Sequence, residues 1–210
     1  MSLLFAKVFV AILLGYADYL PPNFNRGFLI GREHYFFGIY RIAFYTHLIF
    51  GPLALVLGAL LFMSGHGWLS PRRVDHRRLG KIQAVAVLGG VVPSGLVMSS
   101  PAFIDSAASP GLVAQALATG VTMWIAILRA KQCHLESHKV WATRCFLLLL
   151  SPLVLRITNG IFIALDVQSD RLMVVNAWLT LLIPLALYEF YRLRPLTSLS
   201  THSQTSKGLS

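Results

Sequence analysis

Hydrophobic positions in this chain fall in long unbroken blocks, with neither strict alternation nor a single helical stripe. Six apolar segments, at about 3–20, 42–63, 82–98, 112–128, 145–165 and 172–190, are separated by short stretches that are polar or rich in Pro, Gly and Ser. Roughly 20 helical residues cross a ~30 Å hydrocarbon core. The predicted fold class is therefore all-α: a polytopic membrane helix bundle of about six transmembrane helices with a four-helix core. It forms one domain over 1–194, followed at 195–210 by a Ser- and Thr-rich tail read as disordered and cytoplasmic. Lys7 interrupts the first segment, which is read as a signal anchor rather than a cleaved leader, because no basic run precedes it and the site near Ala17 is poor.

Composition supports that reading. Of 210 residues, 56% are hydrophobic and only 12% charged, against about 25% charged in soluble domains. The formal charge of +10 has a topological meaning. Arg72, Arg73, Arg77, Arg78 and Lys81 follow the second segment, Arg129, Lys131, Lys139 and Arg144 flank the loop after the fourth, and Arg192 and Arg194 follow the sixth. All three clusters lie on one side, where the positive-inside rule puts the cytoplasm. The expected location is a bacterial inner membrane with both termini cytoplasmic. No nucleic-acid partner is implied, because the basic residues are loop flanks without a soluble binding domain. Cys133 and Cys145 sit near the same side and imply no disulfide framework.

Candidate chemistry rests on polar groups within the apolar segments, where each costs free energy. Arg156 stands about eleven residues past Cys145, ~15 Å from the cytoplasmic end. Compensation is expected from inside the bundle, with Asn159 and Asn176 as candidate neighbours. Its role is either structural, bonding carbonyls freed by Pro152, or that of a counter-charge for a haem propionate, a quinone oxygen or a substrate carboxylate. His47 lies on a stripe continuing through Gly51, Ala54 and Gly58; small residues mark helix contacts in lipid, so the imidazole points into the bundle, as a packing residue or a ligand.

At the cytoplasmic side His76 opens a stripe through Gly80, Gln83, Val87, Gly90 and Ser94, and His138 opens another through Ala142, Cys145, Leu149, Pro152 and Arg156. Two imidazoles from facing helices, beside small residues, are a set that can ligate the iron of haem b. The same histidines could instead serve as caps or contact lipid headgroups. A zinc or copper site would draw on His66, His76, His134 and His138, with Cys133 beside His134.

His47, the His76-Arg77-Arg78-Leu79-Gly80 run, the His138-Lys139-Val140-Trp141 run ending at Arg144, and Arg156 together resemble the bacterial predicted-membrane-protein family known as domain of unknown function 2306. The resemblance covers roughly residues 40–165 together with the sixth segment and implies a multi-pass membrane protein of undefined activity. A looser similarity runs to b-type membrane cytochromes, with His76 and His138 as the inner ligand pair. The fourth segment offers Gln115, Thr119, Thr122 and Met123 but no histidine, so at most one bis-histidine haem is expected. Three readings follow: a redox protein binding haem b or a quinone through His76, His138, His47 and Arg156; a noncatalytic subunit or assembly partner of a membrane complex; or a small transporter.

Overall fold

A computed structural model describes residues 2–25, 27–65, 67–68, 73–100, 109–167 and 169–193; the expected tail at 195–210 lies outside them, as do His66 and Arg72. The described residues hold no strand, only one isolated bridge between Tyr19 and Pro22. Helix α1 (Ser2–Leu14) runs into a 3-10 turn (Gly15–Asp18), and a second 3-10 turn (Gly27–Leu29) precedes the single turn α2 (Glu33–Phe36). Next come α3 (Ile39–Gly65), α4 (Arg73–Val85), a π segment (Ala86–Val91) leading straight into α5 (Val92–Met98), α6 (Ser109–Lys131), α7 (Leu135–Ala164) and α8 (Asp170–Leu193).

Five helices are long and apolar enough to cross a membrane: α3, the continuous α4–α5 rod, α6, α7 and α8. They coincide with the second to sixth predicted segments. The first is the exception in length, since α1 has 13 residues. Other helices outrun their apolar blocks. The α4 helix begins at Arg73 and α7 at Leu135, so Arg77, Arg78, Lys81, Lys139 and Arg144 stand on helices rather than in loops. Long basic side chains reach the headgroup layer from a helix end, and the backbone needs no loop there.

Hydrogen bonds give the helix order. Along α3 and the next rod, His47 meets Ser94, Ala54 meets Gln83 and Ser64 meets His76, so the two run antiparallel. Gln115 with Leu148 and Ala126 with His138 set α6 against α7 in the same way. Ser151 with Thr180 and Thr158 with Asn176 do so for α7 and α8. The ends of α3, α6 and α8 and the starts of α4 and α7 therefore share one basic end of the bundle.

Prolines explain part of this cross-linking. A helical proline has no N–H for the carbonyl four residues earlier, and in lipid a freed carbonyl needs another donor. Pro152 frees Leu148 O, which accepts from Gln115 Nε2 at 2.6 Å. Pro184 frees Thr180 O, which accepts from the Ser151 hydroxyl at 2.8 Å. Pro93 falls just past the π segment, within the continuous rod.

The core between α3, the π segment, α6 and α7 is made of Ala54, Ala86, Val87, Met123, Cys145 and Leu149. At the end opposite the basic residues, Leu29, Phe36, Tyr40 and Phe44 form a second, aromatic cluster. Large apolar residues such as Ile49, Val121, Ile163 and Leu182 face outward, which costs nothing when the surroundings are lipid.

Candidate functional site

His76 and His138 both stand at the basic end of the bundle. His76 lies on the first turns of α4, and its Nδ1 is 2.7 Å from Ser64 Oγ near the end of α3. His138 lies on the first turns of α7, with Nδ1 2.9 Å from the carbonyl oxygen of Ala126 on α6. A carbonyl only accepts, so the neutral His138 ring carries its proton on Nδ1 and its lone pair on Nε2.

Space beside them is uneven. Nothing lies within 4 Å of where a Cβ on Gly80 would stand, one turn inside His76. Deeper in the bundle the packing closes. A Cβ on Gly58 would meet Phe146 at 3.0 Å, Gln83 at 3.3 Å and Leu149 at 3.6 Å, and Phe146 stacks on Phe62 with ring centroids 5.0 Å apart. Gln83 is held there by its bond to Ala54 O at 2.9 Å. Gly58, Gln83, Phe62 and Phe146 thus pack closely at one level of the bundle, while the space beside Gly80 is open.

His47 marks a second cluster in the opposite half. Its Nδ1 is 3.0 Å from Ser94 Oγ, while the Ser94 hydroxyl lies 2.6 Å from Gly90 O. A serine has one proton to give, and that proton goes to Gly90, so Ser94 accepts from His47 Nδ1–H. The neutral His47 ring therefore also keeps its lone pair on Nε2. Gly51 and Gly95 flank the ring, each with a would-be Cβ about 3.8 Å from it.

Arg156 stands eight residues before the end of α7. Its surroundings differ from those expected. Arg156 is exposed, and no hydrogen bond or ion pair joins it to a described residue. The asparagines expected beside it turn to each other: Asn176 Nδ2 donates to Asn159 Oδ1 at 2.7 Å, and Thr158 donates to Asn176 Oδ1 at 2.7 Å. They fasten α7 to α8. The carbonyl that Pro152 frees is taken by Gln115, so Arg156 is not its donor.

Three features escaped the sequence. The π segment has no compositional mark beyond the Gly89-Gly90 pair before Pro93. Ser94 was visible as a stripe position, but its role in setting the His47 tautomer needs the antiparallel register. Gln115 was noted only as a residue that is not histidine. Among the described residues, no group of three or more His, Cys, Asp or Glu could hold a metal ion; His134 is exposed at the start of α7.

No curated protein and no solved structure matches this chain. The model of one family, described as Predicted membrane protein (DUF2306), matches residues 44–192, which include most of α3 and all of the α4–α5 rod, α6 and α7. With five helices able to span a bilayer and a match over more than half its length, the chain is a multi-pass membrane protein belonging to that family.

Proposed function

We propose that the protein is a redox protein of the membrane in which His76 and His138 hold one b-type haem at the basic end of the bundle. The observation that carries this reading is the anchored imidazole pair. A ligating histidine is oriented by a bond from its second nitrogen to a carbonyl or hydroxyl, and Ala126 O and Ser64 Oγ are such partners. His138 in the tautomer set by Ala126 offers Nε2 as the ligand atom. The open position beside Gly80 suits a macrocycle that a larger side chain would obstruct.

When bound, haem supplies one-electron chemistry at its iron. The chain's own contribution is to orient two neutral nitrogens, to exclude lipid and water below them with Phe62, Phe146 and Gln83, and to surround the site with the positive charge of Arg77, Arg78 and Lys81. The positive-inside rule puts this end at the cytoplasmic face of a bacterial inner membrane, with both termini on that side.

The test is an oxidised-minus-reduced visible spectrum of protein purified after expression with ample haem. A sharp α-band, lost in His76→Ala and in His138→Ala while both variants stay folded, is the expected result. A featureless spectrum from folded wild-type protein overturns the proposal.

A further inference from the structure

A groove of about 460 Å³ opens between the first turns of α7 and the last turn of α8, lined by Glu136, Ser137, Val140, Trp141, Arg144 and Arg192. Its level is the lipid boundary: the apolar block of α7 begins at about 145, directly after Arg144, and that of α8 ends at about 190, just before Arg192. Phe190 and Tyr191 stand exposed at the same end of α8, and aromatic rings favour the headgroup layer. Charge in the groove is arranged around one carboxylate. Arg144 Nε donates to Glu189 Oε1 at 2.7 Å, while Arg192 donates to Glu189 Oε2 from Nε at 3.0 Å and from Nη2 at 2.8 Å. The Arg144 guanidinium also lies over the Trp141 ring, its Cζ 4.2 Å from the centroid. Glu189 thus draws together two cations that would repel each other, and it neutralises only one of them. At the rim the exposed Glu136 is paired with Lys139 at 3.0 Å, which leaves that balance unchanged. The groove therefore carries one net positive charge. Among the described residues, no hydrogen bond engages the terminal nitrogens of Arg144 or Nη1 of Arg192.

We infer that this groove holds the headgroup of an anionic phospholipid, with its phosphodiester on Arg144 and Arg192. A phosphodiester carries one negative charge and unesterified oxygens that only accept, which matches one net positive charge and N–H groups that only donate. A zwitterionic headgroup fits less well, because its ammonium meets no free carboxylate: Glu189 is engaged by the two arginines and Glu136 by Lys139. Phosphatidylglycerol brings a phosphodiester and neutral hydroxyls, for which the Ser137 hydroxyl in the groove is a partner. The lipid boundary favours a tethered anion over a free one, since acyl chains from a headgroup at this level run along the apolar blocks of α7 and α8. Neither His76 nor His138 lines the groove, so the inference stands independently of the haem reading.

The test is native mass spectrometry of the full chain, released from an uncharged detergent after equilibration with dioleoyl phosphatidylglycerol or with dioleoyl phosphatidylethanolamine. One phosphatidylglycerol should be retained per chain, about tenfold more tightly than phosphatidylethanolamine. Arg144→Gln and Arg192→Gln should each weaken its binding about tenfold, as for loss of a hydrogen bond to a charged partner. Lys131→Gln removes an equal charge at the same end of the bundle but outside the groove, and should change binding by less than about twofold. Arg192 lies on the last turn of α8 with its side chain 40% exposed, so Arg192→Gln decides the matter even if Arg144→Gln does not fold. Equal retention of the two lipids overturns the inference. So does an Arg192→Gln effect no larger than that of Lys131→Gln, which would mean general attraction to the basic end. Displacement of the lipid by inorganic phosphate, beyond that by chloride at equal ionic strength, also overturns it and assigns the groove to a soluble anion.

Discussion

The Ser94 hydroxyl gives its only proton to Gly90 O at 2.6 Å and accepts the Nδ1 proton of His47 at 3.0 Å. One small side chain on the rod thus chooses which nitrogen of a histidine on α3 is basic. Replacing Ser94 by Ala removes both the acceptor and the bond. Nitrogen NMR of the ring should show a single Nδ1–H tautomer in wild-type protein and a mixture in Ser94→Ala. A stability loss of about 0.5–2 kcal/mol should accompany it, the range for a hydrogen bond between membrane helices. An unchanged tautomer in the variant would show that something other than Ser94 sets it.

The π segment has a tight side and an open one. A Cβ on Gly90 would run into Cγ and Cβ of Phe50, whereas a Cβ on Gly89 would meet nothing within 4 Å. Gly90→Ala should therefore cost about 1–3 kcal/mol through overpacking, and Gly89→Ala should be neutral or slightly stabilising. Phe50→Leu keeps the Cβ and Cγ that stand in the way, so Gly90→Ala/Phe50→Leu should not recover the loss. Thermal unfolding in detergent reads all three, and equal losses at the two glycines would contradict the packing described.

Pro152 and Gln115 act as a pair. Gln115→Leu leaves Leu148 O without its cross-helix donor and should lower stability by about 1–3 kcal/mol, the cost of an unsatisfied buried group. Pro152→Ala restores the missing N–H within α7. In a double-mutant cycle the glutamine should matter much less once the proline is gone. Additive effects would mean that Gln115 stabilises the bundle in some other way.

The native cysteines report sidedness. Cys133 is exposed in the turn between α6 and α7, and Cys145 is buried in the core at 1% exposure. An impermeant maleimide should label Cys133 in inverted membrane vesicles and leave it unlabelled in intact cells, with Cys145 reacting only after unfolding. Labelling of Cys133 from outside intact cells would reverse the proposed orientation.

Arg144, Glu189 and Arg192 join α7 to the end of α8, with Arg144 Nε 2.7 Å and Arg192 NH2 2.8 Å from the two carboxylate oxygens. These groups sit at the edge of the bundle and are partly exposed, so Glu189→Gln should cost no more than about 1 kcal/mol, and less as salt is raised. Chemical unfolding at low and high ionic strength checks both the size and the salt dependence.

Much of the architecture was legible along the chain because lipid imposes simple rules. A block such as 112–128 must be helical to satisfy its backbone, and the Lys and Arg clusters fall at alternate connections, so the common basic end of α3, α4, α6, α7 and α8 followed from order alone. The histidine and arginine candidates were also legible, since a polar residue in an apolar block stands out. Where helices end was less so: α7 starts ten residues before its apolar block, because a helix passes from lipid into the headgroup layer without changing its hydrogen bonds.

The sequence by itself determined the solvent, the helices and their alternation, because those depend on local hydrophobicity and backbone satisfaction. Only the tertiary structure decided who partners whom. It gave Leu148 O to Gln115 rather than to Arg156, joined Asn159 to Asn176, and set the partners of His47 and His138. Each of these depends on the register between two helices, where a shift of one residue turns a side chain by about 100°. A hydrogen bond that short has no counterpart in the hydrophobic pattern of either helix alone.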